Sequence, residues 1–417
     1  KLPRPDQLDE DGRVTFGRWH SRVRGAPEVL GQVPVSCLAE EIATPGDGQL
    51  KGLVTIAGNP VISSPDCAAL DAALPMLDCM ISIDNWLNET TRHAHVILPG
   101  QSHLEQPHMD EMIWSWAIRN ASKWSAPIFD IPDDQPREWE VLLTLAGLFL
   151  GMPADGVDTA MLDDAYFAGF VGKVVEYPQF GISDRDPTEI VAATEGRGPD
   201  RFVDLAIRTG SYGDRYGANP DGWTFEKLKA HPNGIDLGPL RPRVREVLQT
   251  PNGRIDAAPD YVVNDLPRLR ARLARSDDGL VLVSRRHLRS NNSWMHNVKV
   301  LVKGKDRCTL MMHPTDAEAA GVADGGVASV SSESGSIEIS VEVTDEMMPG
   351  VVSLPHGWGH DLDGVQLSVA KEFAGVNSNI LSPGHLVDAI SGNAVVNGIP
   401  VEVAPAEARA SVDSARG

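Results

Sequence analysis

The amino-acid sequence predicts an α/β fold: a doubly wound α/β domain followed by a C-terminal β-barrel. Two patterns carry that prediction. Over residues 50–98, short apolar runs alternate with helix starts and Gly/Pro turns. After Gly279 the texture changes to short alternating segments separated by Gly-rich turns. The length of 417 residues, 42% of them hydrophobic and 23% charged, supplies material for two or three cores and excludes a chain disordered throughout.

Residues 1–48 read as an irregular segment, punctuated by Pro3, Pro5, Pro27, Pro34 and Pro45. Residues 50–57 (LKGLVTIA) are apolar enough to suit a parallel strand buried on both faces. Ser64, with Pro65 at the first helical position, marks a helix start whose helix runs to Leu77. Residues 79–83 and 95–98 supply two more strands. In such sheets ligands bind at the carboxyl ends of the strands, which places Gly58-Asn59-Pro60, residues 84–90 and Pro99-Gly100 on one rim.

Residues 137–150 read as a helix that becomes apolar all round and is therefore well buried. Residues 151–275 mix helical stretches (162–175 and 202–209) with Gly/Pro loops, and 266–275 form a linker helix with a solvated basic face. The α/β domain with this helical insert covers 49–275, the barrel 276–405, and a frayed tail 406–417. Within the barrel, strands are expected at 280–284, 336–343, 351–354 and 394–403. Ile337, Ile339, Val341 and Val343 alternate with polar residues, and Asn397-Gly398 predicts a two-residue hairpin turn.

Acidic residues outnumber basic ones by 58 to 37, for a net charge of −21. Such a surface repels phosphate backbones and excludes general nucleic-acid binding, while leaving room for a local anion pocket. No run reaches the length of a membrane span. The four cysteines, Cys37, Cys67, Cys79 and Cys308, form no C-x-x-C pair and cannot alone hold an iron–sulfur cluster or a structural zinc. They read as buried, reduced thiols of a cytoplasmic protein. The chain opens on Lys1 in a Pro- and charge-rich stretch, and it reads as a piece of something longer.

Several constellations carry chemistry. The glycine of Gly58-Asn59-Pro60 lets backbone N–H groups approach a phosphate or ribose, and the neighbouring amide donates and accepts. Asp84, at the next strand end, offers a bidentate acceptor for a guanine edge or a ribose diol; the bland alternative is a loop cap. His93, His95, His103 and His108 crowd one stretch without metal-ligand spacing, so no metal site is assigned. Residues 284–297, dense in Arg, Asn, Ser and His, suit a polar heterocycle or a pyrophosphate. The loop His356-Gly357-Trp358-Gly359-His360 reads as ligand contacts, with a turn stacked on Trp358 as the alternative. A nucleophile elbow, a P-loop and a Gly-x-Gly-x-x-Gly fingerprint are all missing.

Taken in order, four motifs resemble the C-terminal half of the molybdopterin oxidoreductases of the dimethyl sulfoxide reductase and formate dehydrogenase type. They are Gly58-Asn59-Pro60; Asp84 through Glu89-Thr90 to His95-Val96-Ile97-Leu98-Pro99; His313-Pro314-Thr315-Asp316-Ala317 with Gly321 and Asp324-Gly325; and Pro349-Gly350-Val351-Val352 through His356 to Asn379 and Asp388-Ala389-Ile390-Ser391. One departure is His95, where the family carries Asp.

The resemblance implies an α/β domain that grips the guanosine and phosphates of bis-molybdopterin guanine dinucleotide through Gly58, Asn59, Pro60, Asp84, Asn88, Glu89 and Thr90. It implies a double-psi-like barrel that grips pterin and pyrophosphate through Arg285, Asn292, Ser293, His356, Asn379 and Asn393. Molybdenum or tungsten would perform the redox step on a small substrate such as formate, nitrate or an N- or S-oxide. A 4Fe-4S cluster and the protein ligand to the metal are expected only in an N-terminal half that these residues do not match, and the electron-transfer partner is not specified. The alternative is a separate, non-catalytic cofactor-binding subunit of a larger oxidoreductase complex.

Overall fold

The computed structural model describes residues 15–406 apart from residues 30, 133, 249, 251 and 276–278; the first part of the irregular segment and residues 407–417 of the tail lie outside the described residues. Two compact units result: residues 1–99 with 245–417, and residues 100–244.

In the first unit, β1 (Gly52–Ile56), β2 (Cys79–Ile83) and β3 (Val96–Leu98) form a parallel sheet in the order β1-β2-β3. Their register pairs Gly52 with Cys79 and Ile81 with Val96. Helices α1 (Leu38–Ala43), α2 (Pro60–Ser63) and α3 (Cys67–Ala73) accompany it. Ile42, Val61, Leu70, Leu74 and Met80 close into one core, each 2% exposed or less. The 1–48 segment thus holds a helix that its proline spacing hides.

Burial on both faces is not realised: β1 is only half-buried along its middle and Val96 of β3 is exposed, because the packed helices cover the sheet unevenly. The helix start is also displaced. Pro60 at a first helical position already opens α2, Ser64 closes that turn by donating its N–H to the Pro60 carbonyl, and Asp66 precedes α3 in a left-handed conformation. The Asp66 N–H donates to the Ser382 carbonyl at 2.8 Å, a long-range tie that local spacing does not reveal.

Beyond residue 279, β6 (Leu280–Arg285), β7 (Leu310–Met312), β8 (Val327–Ser331), β9 (Ser336–Val343), β10 (Val351–Pro355) and β11 (Ile399–Pro405) close a barrel in the order β10-β6-β11-β8-β9-β7. The β6–β10 and β7–β9 pairs are parallel and the rest antiparallel. Closure removes every free edge. Ile337, Ile339 and Val341 face inward with Leu282, Leu310, Met312, Val330 and Leu354, as the alternation predicts. The Asn397-Gly398 hairpin does not form. Instead the Asn397 Oδ1 accepts the Ser284 N–H at 2.7 Å, standing in for a strand carbonyl beside β6, and β11 pairs with β6 and β8.

The second unit holds the ribbon of β4 (Arg119–Ser122) and β5 (Ile235–Pro239) and a helical core built on Phe167, Val171, Ile182, Ile190 and Leu205. The apolar helix, Glu138–Phe149, is not well buried: only Gly147 is, and Phe149 is 72% exposed. It meets its helical neighbour along one seam, where Gly147 lies against Val157 and Leu162. Cys79 likewise departs from expectation by being exposed, whereas Cys37, Cys67 and Cys308 are buried free thiols. Among the described residues no helix is long and apolar enough to cross a membrane.

Candidate functional site: a polar rim and a barrel cavity

After β1 the chain passes through Ala57 and Gly58 into Asn59, which precedes α2. Its side chain leaves the helix uncapped and turns to the segment after β2. The Asn59 Nδ2 donates to Glu89 Oε2 and its Oδ1 accepts from Thr90 Oγ1, both at 2.7 Å. Thr90 Oγ1 in turn accepts the Val61 N–H at 3.1 Å. The two strand-end loops are therefore bonded into one rim.

Asp84 anchors the rim at the end of β2. Its Oδ1 accepts the Trp86 N–H at 3.0 Å and its Oδ2 accepts from Asn88 Nδ2 at 3.2 Å. The Asn88 Oδ1 accepts the N–H groups of Thr90 and Thr91 at 3.0 and 2.9 Å. Burial pushes the Asp84 carboxyl up, against the hydrogen bonds from Trp86 and Asn88. A carboxylate offers about four lone-pair sites, so acceptor capacity remains for an outside donor pair.

Between the end of α2 and the barrel, Ser63, Ser284, Arg286, His356, Ser378, Asn379 and Ser382 line a cavity of about 80 Å³ together with Leu282, Leu354 and Val396. Its polar lining contains a guanidinium, an imidazole, an amide and hydroxyls but no carboxylate. That donor set suits an anionic group. The cavity wall is fixed by ties to α2: Asn377 Nδ2 donates to the Val61 carbonyl at 3.0 Å and Asn379 Nδ2 to the Ile62 carbonyl at 2.7 Å. Burial, with the Arg286 charge, pushes His356 down, so its ring is neutral at neutral pH.

The expected site residues separate into two groups. His356 and Asn379 line the cavity, and Asn292 joins it through a hydrogen bond from Arg286. The Asn292–Ser293 turn is in close approach to Gly357, where φ is +93° and a Cβ would overlap the Asn292 carbonyl oxygen. Other residues turn inward. Arg285, expected on the pyrophosphate, donates instead to the carbonyls of Ser353, Arg307 and Thr309 at 2.6, 3.2 and 2.7 Å and staples the barrel. Glu89, Asn88 and Thr90 are buried and shape the rim. Asn393 sits in a turn that accepts the Asp388 N–H through its carbonyl, and it is not among the cavity-lining residues. The family's Asp is replaced by His95, whose Nδ1 accepts the Met80 N–H at 2.9 Å and extends the β2–β3 ladder.

The glycine-rich loop is less exposed than its composition implies. Trp358 is 4% exposed and His360 1%, and the His296 ring stacks on Trp358 at 3.9 Å. The turn stacked on Trp358 is thus the arrangement found, and these side chains are core. Sequence reasoning missed Ser63 and Ser382 as cavity residues, because only the ties of α2 to the barrel bring them there. Among the described residues no group of three or more His, Cys, Asp or Glu side chains is arranged to hold a metal.

Residues 13–146 match the family model described as Molybdopterin oxidoreductase, and residues 280–400 that described as Molydopterin dinucleotide binding domain. The dimethyl sulfoxide/trimethylamine N-oxide reductase of Rhodobacter capsulatus is 25% identical over 324 residues, which cover 73% of this chain and 35% of the reductase. The assimilatory nitrate reductase catalytic subunit of Bacillus subtilis (strain 168) is 33% identical over 101 residues, 24% of this chain and 13% of that subunit. Acetylene hydratase from Pelobacter acetylenicus shares the fold, with a TM-score of 0.56 at 16% identity over 88% of this chain and 46% of its own. The chain therefore spans about a third of the length of the reductase and under half that of the hydratase.

Proposed function

The chain belongs to the molybdopterin oxidoreductase family, and on that premise we propose that its rim and cavity hold a bis-molybdopterin guanine dinucleotide for an oxidoreductase acting on a small substrate such as formate, nitrate or an N- or S-oxide. The observation that carries this reading is the division of donors and acceptors. An anionic group is served by the carboxylate-free cavity of Arg286, His356, Asn379 and the serines, and a base edge by the residual acceptors of Asp84.

Bound molybdenum or tungsten would supply the redox chemistry. The chain's own part is to bind and orient. Arg286 neutralises phosphate charge, the serines and Asn379 fix the position of the oxygens, and neutral His356 offers one donor and one acceptor. Asp84 accepts from the N–H groups of a guanine. Asn59, held by Glu89 and Thr90, keeps the Gly58 backbone open toward the ligand; a Cβ at Gly58 would meet only the Ile56 carbonyl oxygen, at 3.7 Å. The metal's protein ligand and any iron–sulfur cluster are proposed to come from outside the matched segments. In support, burial pushes the thiols of Cys67 and Cys308 up to about 12, which makes them poor ligands.

Asp84→Ala tests the assignment. Loss of a charge-assisted contact worth roughly 1.5–3 kcal/mol weakens retention about ten- to a hundredfold. Released pterin fluorescence per mole of folded protein measures it, and unchanged retention sinks the role of Asp84.

A further inference from the structure

A buried hydrogen-bonded chain runs from the rim into the barrel, and beyond Glu89, which holds Asn59, the dinucleotide reading gives it no task. Glu89 Oε1 lies 2.9 Å from His360 Nδ1, His360 Nε2 lies 2.9 Å from His296 Nδ1, and His296 Nε2 lies 2.9 Å from Ser290 Oγ. All four side chains are buried, with residue exposures of 0, 1, 1 and 3%. At its far end Glu89 also accepts from Asn59.

The ends of the chain fix its direction. The Glu89 carboxylate only accepts, so His360 carries a proton on Nδ1; a neutral His360 ring then presents a lone pair on Nε2. His296 must then donate from Nδ1 and accept the Ser290 hydroxyl at Nε2. With both rings neutral, every polar atom in the chain is paired.

We propose that this chain is a proton relay whose polarity reverses when one proton is taken up at His360. A solvent proton enters at the Ser290 end: Ser290 passes its hydroxyl proton to His296 Nε2 and is reprotonated, and His296 Nδ1 passes its proton to His360 Nε2, making an imidazolium beside the Glu89 carboxylate. His296 stays neutral but exchanges tautomers: its Nδ1 now accepts from His360 Nε2–H, and its Nε2 carries the proton received from Ser290. The Ser290 oxygen then accepts instead of donating, and its O–H is free to turn elsewhere on the 284–297 loop. Charge balances, with one proton entering and one positive charge resting on His360 against Glu89.

The surroundings favour this location. Glu89 and Asn59 face His360 from the rim. His296 stacks on Trp358 and lies edge-on to the His360 ring, within electrostatic reach of His287 and His356 on the barrel loops. Burial and those rings push His296 down to about 3, while the His360 bond holds the Glu89 carboxyl below its ordinary value.

Imidazole ¹⁵N NMR of the full-length protein, labelled at histidine and titrated downward from pH 8, reads each ring nitrogen; His296→Gln and His360→Gln assign the signals. The relay predicts two Nδ1–H tautomers at the start. On acidification His360 gains both protons while His296 switches to Nε2–H without becoming charged. A His296 ring that keeps its tautomer, or that itself becomes the imidazolium, overturns the proposal. None of these readouts requires bound cofactor, so failure of the relay and failure of the dinucleotide reading are distinguishable.

Discussion

At the scale of single residues, the chain separates side chains that face a ligand from those that build the place for one. Arg285 and Arg286 are neighbours, yet the first binds barrel carbonyls and the second lines the cavity. Read from the sequence, the pyrophosphate goes to Arg285 and Arg286 is left out, since nothing local tells which of two neighbouring guanidinium groups turns into the barrel. Arg285→Met therefore leaves the carbonyls of Ser353 and Thr309 without their donor. At about 1–3 kcal/mol for each unsatisfied group, the loss is roughly 2–6 kcal/mol in urea-induced unfolding. Cofactor per folded molecule should be unchanged, and a variant of parental stability that sheds cofactor would return Arg285 to the ligand. The place of Asp84 at the end of β2 was legible because the apolar run before it reads as a strand. Ser63 was not, since its role follows from the docking of α2 on the barrel.

At the scale of elements, period-two alternation located β9 correctly because every second side chain had to enter the barrel core. Asn397-Gly398 misled for a related reason. The turn signal is local, but the partners of β11 are β6 and β8, far away in sequence. The helix of Glu138–Phe149 misled in the other direction, as an apolar composition does not supply neighbours to bury it. Gly357 is the element-level weak point. A methyl group there would overlap the Asn292 carbonyl at a backbone angle that L residues rarely adopt. Gly357→Ala should lower stability by about 2 kcal/mol or more and displace the 284–297 loop. Increased protease cleavage within that loop is the expected readout; an unchanged melting temperature would show that the loop does not depend on the close approach.

At the scale of the whole molecule, buried titrating groups make stability depend on pH in a definite direction. His296 resists protonation in the fold down to about 3, whereas the unfolded ring takes a proton near its ordinary 6.5. The unfolded state thus binds more protons between those values, and stability falls as pH falls through that window by up to about 1.4 kcal/mol per pH unit. Glu89, held below its ordinary value, acts with the same sign, since its contribution is lost as pH falls through the folded value. Urea titrations at pH 7 and pH 5 should show this slope, reduced in His296→Gln; an equal slope in the variant would assign the effect to other groups. The order of an α/β rim followed by a barrel was readable from the chain. The ties between them, from Asn377, Asn379 and His360, were not, because they join residues about 270–320 positions apart.

The central claim is that rim and cavity together hold a guanine dinucleotide form of molybdopterin, and its most direct test is chemical. Acid hydrolysis of the purified full-length protein, with metal and GMP quantified on the same sample, should release about two GMP for each molybdenum or tungsten. A full-length protein that carries neither metal nor GMP would contradict it.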